Sequence, residues 1–431
     1  MNVTYYIDAI NGKDSNQGKS PDSPWRSLDP ANQVVLAPGD RLLLRRGDAW
    51  RGMLSPKGSG LPQRPITLGT YGEGPLPIVD AEGGEAAIKL TGQSHWIIEN
   101  IHVQNRATDR VVRQGIFLYG AEGQIVRDVV VRNCEVSHVV GQNRRQVPPY
   151  TSMYWNGGIY VSVPGRSSES NHWEDVLIEN NYIHDVYTSG IRVAQREDGI
   201  IDIYHKNVVV RQNKIERTGS DGMIIANCIA PLIEENTCYD AGALGTLEDT
   251  YLIAGIWVCS VSDAIIRRNE VARTRLFDND GTAFDTDWGV KGTIVFEENY
   301  SHENYGGFFL DCGGLNLNPQ YEKTILRNNV SINDYRCIVQ DAHSPHVELE
   351  GNVFYQDPQN EQITLCLYQP GTQHQYKDNR FFLTKEPKEG WQSVDLKTNQ
   401  WVSHWKEAPV TVDGFSQIEK WKNWFSKWKK S

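Results

Sequence analysis

Gly281-Thr-Ala-Phe-Asp285, Gly307-Phe-Phe-Leu-Asp311 and Cys337-Ile-Val-Gln-Asp341 are three late copies of one unit: a glycine or small residue, an apolar run, and aspartate at the fifth position. Five earlier copies read Gly115-Ile-Phe-Leu-Tyr119, Gly158-Ile-Tyr-Val-Ser162, Gly190-Ile-Arg-Val-Ala194, Gly222-Met-Ile-Ile-Ala226 and Gly255-Ile-Trp-Val-Cys259. Successive starts lie 43, 32, 32, 33, 26, 26 and 30 residues apart, the loose period of a solenoid whose repeats stack on one another. An asparagine keeps the same beat, at Asn133, Asn181, Asn213, Asn236, Asn269, Asn299, Asn329 and Asn352, often after a β-rich run such as Val208-Val-Val-Arg211. Asparagine accepts tight-turn dihedrals and bonds neighbouring backbone, so one per coil builds a polar corner. Apolar residues on one parity fit strands around a filled interior. The expected fold is all-β: a single-stranded right-handed parallel β-helix.

The chain has 431 residues, a net charge of −11, 38 Gly, 19 Tyr and 13 Trp. Repeats extend one core along an axis without the usual domain limit. Residues 1–60 read as an N-terminal cap with the first strands, 61–375 as coils carrying a cleft, and 376–431 as a C-terminal cap. In the first cap Asp29 is expected to cap a short helix from Pro30 to about Val35. In the last, Ile418, Trp421, Trp424, Phe425 and Trp428 make a helical stripe beside Lys420, Lys422, Lys427, Lys429 and Lys430. That pattern suits a helix over the stack end, with a membrane-surface helix as the other reading.

The negative charge argues against nucleic-acid partners, and no stretch of 18 apolar residues offers a membrane span. A monomer is expected. Seven cysteines show no Cys-X-X-Cys pair, so Cys259 and Cys312 read as small packing residues. The start, Met-Asn-Val-Thr-Tyr-Tyr, has no basic-then-apolar signal, which fits a cytoplasmic protein or a secreted one whose signal has been removed.

Tyr6-Ile-Asp8, Gly12-Lys-Asp-Ser-Asn-Gln-Gly18, Pro24-Trp25 and Pro38-Gly-Asp40-Arg41 resemble the N-terminal signature of bacterial right-handed β-helix proteins that act on polysaccharides, the pectate-lyase-like superfamily. Asn279-Asp-Gly-Thr-Ala-Phe-Asp-Thr-Asp287, with Asn299-Tyr-Ser-His302 and Asn304-Tyr-Gly-Gly307, is similar to its glycoside hydrolase family 141-like members. The likeness runs over roughly residues 3–370. It implies the fold and a carbohydrate substrate; hydrolases, lyases and binding proteins share that fold.

Numbered from each glycine, the second, fourth and sixth positions should point outward. The fourth gathers Asp285, Asp311 and Asp341, the sixth Asp287 and His343, and the second Trp257 and Phe309, with Trp288 at the edge. Stacked strands lie about 4.8 Å apart, so Asp285 and Asp311 are expected as a retaining nucleophile and acid/base, with Asp287 diagonal to Asp311 in reserve. Like charges this close keep one carboxyl protonated. Trp257, Trp288 and Phe309 would bind a sugar's apolar face; Asp221, Asp280 and His343 are further candidate ligands, although Asp-Gly is also ordinary turn chemistry. Glu248 or Asp249 in Leu247-Glu-Asp-Thr-Tyr251, and the loop Asn143 to Trp155, are candidates for overhanging segments; His184 and His302 read first as structural.

The expected function is a glycoside hydrolase acting on a polysaccharide or derived oligosaccharide, without an obligatory cofactor. A calcium site is the competing reading of the acids, in a lyase whose base would be Arg192, Arg196 or Lys291. The two arginines lie about 14 Å from the Asp285 strand by strand spacing. A non-catalytic glycan-binding β-helix is the third reading.

Overall fold

The computed structural model describes residues 2–142, 155–195, 202–245, 253–277, 280–312, 320–341, 347–357, 364–367, 374–383, 394–395 and 397–402. His343, Arg196, Glu248, Asp249, most of the Asn143 loop and the stripe at 418–428 lie outside the described residues. The chain divides into two compact units, Met1–Leu232 with Gly242–Tyr251 and Ile233–Ala241 with Leu252–Ser431.

In the first unit each turn of chain contributes a strand to each of three parallel sheets. Ile125–Arg132, His172–Glu179 and His205–Arg211 are successive strands of one sheet, Glu135–Val139, Tyr182–Val186 and Lys214–Thr218 of the second, and Gln114–Tyr119, Gly157–Ser162 and Ile191–Val193 of the third. Pairing is in register with the glycine count: Ile116, Ile159, Ile191 and Met223 are partners, as are Phe117, Tyr160, Arg192 and Ile224. The resemblance motif at the N-terminus is a knot of buried polar ties. Asp8 accepts the amides of Ile10 and Asn11 and the Arg45 guanidinium, Asp40 accepts those of Val3 and Ala37, and Trp25 Nε1 donates to the Asn16 carbonyl. The helix there is Asp29–Gln33. Leu28 rather than Asp29 stands at its N-cap, with no side-chain cap bond; Asp29 lies in the first turn, where its charge meets the positive end of the helix dipole.

The second unit repeats the three-sheet pattern, with Ile265–Arg267, Gly292–Glu297, Tyr321–Arg327 and Val347–Glu350 in one sheet, Glu270–Ala272, Tyr300–His302, Val330–Ile332 and Val353–Tyr355 in the second, and Ala254–Cys259, Thr282–Thr286, Gly307–Asp311 and Cys337–Asp341 in the third. Its interior is aromatic: Phe284, Phe296, Phe308, Phe309, Phe354 and Phe381 are fully or almost fully buried, and Phe296 lies edge-on to both Phe284 and Phe309. Burying each such ring is worth about 1.5–3 kcal/mol.

Asparagines form the expected corner, and the ladder runs further than the eight expected positions. Asn236, Asn269, Asn299, Asn329, Asn352 and Asn379 each pass an Nδ2–H to the next Oδ1 at 2.9–3.1 Å, ending on Asn399, and each next Oδ1 also takes the backbone amide. The residue before the asparagine is left-handed in successive coils: Glu235, Arg268, Glu298, Asn328, Gly351 and Asp378 have φ between 51° and 66°. In the first unit Asn181 and Asn213 bond in the same way, but Asn133 itself takes the left-handed position and Cys134 the inward one. Outside, opposite charges face one another on adjacent strands, as in Arg132 with Glu99, Arg211 with Glu179 and Arg327 with Glu297. Among the described residues no helix is long and apolar enough to cross a membrane.

Candidate active site

The third sheet of the second unit carries the aspartates, and its register decides which of them share a face. Ile256 pairs with Phe284, Trp257 with Asp285, and Val258 with Thr286. One coil on, Phe284 pairs with Phe309, Asp285 with Leu310, and Thr286 with Asp311. Phe309 then pairs with Val339, Leu310 with Gln340 and Asp311 with Asp341. Phe284 and Phe309 meet Phe296 in the interior, so the alternate pleat faces away from it. One outward column is therefore Trp257, Asp285, Leu310, Gln340. Beyond it the ladder continues, with the Asp287 amide on the Val258 carbonyl and the Cys312 amide on that of Thr286. Cys259, Asp287 and Cys312 thus form a second outward column.

This corrects the expected stacking of Asp285 on Asp311. Asp311 shares the pleat of Thr286 and Val258, and all three are fully buried. The cause is a glycine doublet. Gly306, not Gly307, lies on Gly281, its amide donating to the Gly281 carbonyl at 2.8 Å, and a Cβ on Gly306 would overlap the Gly281 backbone. Counted from Gly306, Asp311 is one position later than Asp285, and one position reverses the face.

Four carboxylates nevertheless act on one neighbour, Cys312. Burial pushes the Cys312 thiol well above its ordinary pKa, and Asp285, Asp287, Asp280 and Asp311 each push it further. Cys312 is therefore a neutral thiol set among four acids, a marker that spacing from the glycines did not single out. Asp285 is 7% exposed and Asp311 fully buried, whereas Asp280 and Asp287 are both partly open to solvent. Asp280, just before Gly281, forms an antiparallel bridge with Phe277. Asp287 Oδ1 accepts the Trp288 amide at 2.8 Å, which fixes the carboxylate at the strand's end and leaves Trp288 half-buried beside it.

The other candidates fall in different places. Trp257 lies next to Asp285 across the strands but is only 8% exposed. Phe309 points into the core and is no sugar platform. Asp221 belongs to the first unit, where Ser189 Oγ donates to it at 3.3 Å and its carbonyl takes the Gly190 amide. His184 bonds Asp185 and Glu135, and the fully buried His302 lies between Glu270 and Glu303, which raise its pKa against the effect of burial. Arg192 is buried in the first unit. Above the acids, Arg336 Nη1 donates to Gln340 Oε1 at 3.0 Å. A groove of about 980 Å³ follows the asparagine corner instead, between Glu297, Arg327, Asn329, Glu350 and Arg380, and none of the four aspartates lines it.

Residues 86–354 match the family described as a right handed beta helix region. A lacto-N-biosidase of Bifidobacterium longum is 24% identical over 84% of this chain, which spans 28% of that protein's length. An alpha-1,3-galactosidase A of Akkermansia muciniphila is 36% identical over 67 residues, 16% of this chain and 11% of its own. Among solved structures, the GH136 lacto-N-biosidase of Eubacterium ramulus superposes with a TM-score of 0.74 at 22% identity, covering 88% of this chain and 68% of that one.

Proposed function

The chain belongs to the right-handed β-helix family, and on that scaffold we propose a glycoside hydrolase acting on an oligosaccharide or polysaccharide. The observation that carries this reading is geometric: Asp285, Asp287 and Cys312 stand on the outward pleat of one sheet, Asp280 stands just before the strand that carries Asp285, and Asp280 and Asp287 are partly open to solvent. Hydrolysis of a glycosidic bond needs one carboxyl to protonate the leaving oxygen and a second carboxylate to attack or to activate water. Only groups that reach solvent can meet a substrate, so the working pair is Asp280 and Asp287. Asp285, which lies between them in sequence, is buried on the same outward face as Asp287 and adds a third carboxyl group beside it. Half-buried Trp288, tied by its amide to Asp287, offers an aromatic edge to the sugar.

Retention of configuration was the outcome expected of a stacked Asp285 and Asp311, and the register removes that premise. Stereochemistry is then read from product: a first-formed anomer matching the substrate means that one of the pair is a nucleophile, and inversion means that it activates water. The name of one relative, an alpha-1,3-galactosidase A, supports galactose-containing oligosaccharides as the first substrates to try. No metal or organic cofactor is required in this mechanism.

The test is one panel of oligosaccharides and polysaccharides, with and without chelator, followed by reducing sugar and by ultraviolet absorbance. Reducing ends without absorbance, unaffected by chelator, are expected. Chelator-sensitive, absorbing unsaturated products would establish a lyase instead, and retention of glycan without turnover a binding protein.

A further inference from the structure

At the corner that Asp280 enters stands an aromatic surface that the catalytic reading does not use. Tyr305 is 51% exposed, and among the described residues it is the aromatic member of the exposed large apolar side chains. Its ring stacks on that of Tyr335, with centroids 5.4 Å apart and planes inclined by 28°. The two occupy the same place in successive coils: the Tyr305 amide bonds the Thr274 carbonyl, and the Tyr335 amide that of Asn304. Both sit at the corner where the chain enters the third sheet.

That corner is also where Asp280 enters. Gly306, next after Tyr305, bonds Gly281, next after Asp280, so each residue is one step from a direct backbone contact. Exposed Leu276 packs its backbone against the same Gly281. Other rings, Trp288 among them, are partly open, but among the described residues Tyr305 is the aromatic side chain left exposed, and its open face can take a covering partner. A pyranose supplies one, since its C–H face is apolar while its rim bonds water.

Resting on the glycosidase reading, we propose that Tyr305, backed by Tyr335, is a sugar subsite that binds a residue of the oligosaccharide next to the bond cleaved at Asp280 and Asp287. Tyr335 holds the Tyr305 ring flat, and a chain lying along the corner then presents its neighbouring linkage to Asp280. The occupant is a neutral sugar ring met through its face, so the substrate carries a sugar residue at this subsite and is a disaccharide or a longer chain rather than a lone glycoside.

The experiment measures binding by calorimetry with the full chain carrying Asp287→Asn, using the longest oligosaccharide that the wild type hydrolyses or retains. Adding Tyr305→Ala should weaken Kd by about tenfold, about 1.4 kcal/mol and the scale of one lost aromatic contact. Tyr305→Phe should keep the affinity, because the ring rather than the hydroxyl binds. Unchanged affinity in Tyr305→Ala, or equal loss in Tyr305→Phe, overturns the subsite. If the wild type neither cleaves nor binds any glycan, the subsite and the glycosidase reading fall together. If Tyr305 matters but Asp280→Asn and Asp287→Asn still hydrolyse, the acid assignment alone falls and the subsite stands. Tyr305 is exposed, so its loss should not unfold the chain, and circular dichroism checks this.

Discussion

Gly306 lies on Gly281, amide to carbonyl at 2.8 Å, and this contact sets which aspartates face outward. No Cβ fits between the two backbones. Gly306→Ala should therefore destabilise by about 1–3 kcal/mol, the usual cost of overpacking, read as a fall in the denaturant midpoint. Because the same contact positions Asp280, activity should fall by more than the loss of folded protein explains; an Ala variant with wild-type stability and rate would refute the packing argument.

Removing the charge at the two solvent-reaching acids should separate them from the buried ones. Asp280→Asn and Asp287→Asn are each expected to lower kcat by at least 10²-fold with the melting temperature held or raised, since like-charge repulsion is relieved. Asp311→Asn should act on stability instead, because that carboxylate points into the core with Thr286 and Val258. Steady-state kinetics beside thermal melts decides; a kcat collapse confined to Asp311→Asn would restore the stacked-pair reading.

The asparagine corner should be among the costliest places to mutate. Asn299 Oδ1 accepts both the amide and the Nδ2–H of Asn269, and its own Nδ2 donates to the Ile266 carbonyl and to Asn329. Asn299→Ala strands several buried groups at once, for about 3–5 kcal/mol by urea unfolding, whereas exposed Lys377→Ala should cost under about 1 kcal/mol.

Acid should weaken the first unit through His205. Its ring is buried, Nδ1 accepts the Trp173 amide at 3.2 Å, and burial depresses its pKa to about 3, with His172 adding to the effect. A depressed histidine folds neutral, so its contribution is whole above the unfolded pKa of about 6.5 and drains away as pH falls from there toward 3. His205→Asn keeps an acceptor and cannot charge; its stability should fall less steeply over pH 6.5 to 3, and an unchanged slope would show that other groups, such as Glu174 and Asp185, dominate.

Much of this molecule is legible in its residues because its period is written twice, in glycines and in asparagines. Strand existence, parallel pairing and the polar corner all follow from that repetition. What escaped was phase. Gly306 and Gly307 are indistinguishable as letters, and only the packing of one of them on Gly281 says where the count begins; the error of one residue moved Asp311 from the surface to the core and turned Phe309 from a platform into filling. Asp29 was misplaced for a smaller reason, since Leu28 is already in the helical region at φ −75° and ψ −14°, so the helix begins a residue early and takes the acid into its first turn. Cys312 gave no signal of its own, because a lone cysteine acquires meaning only from the carboxylates that the coil brings around it.

The asparagine corner has a consequence for how such a protein can change. Its rungs in the second unit are 33, 30, 30, 23, 27 and 20 residues apart along the chain, yet the bonds between them stay at 2.9–3.1 Å. Growth and deletion are thus confined to the rest of each loop of chain, while one seam keeps its geometry. A coil can acquire or lose a dozen residues without disturbing the seam that joins it to the next, so this architecture is open to change by insertion, coil by coil.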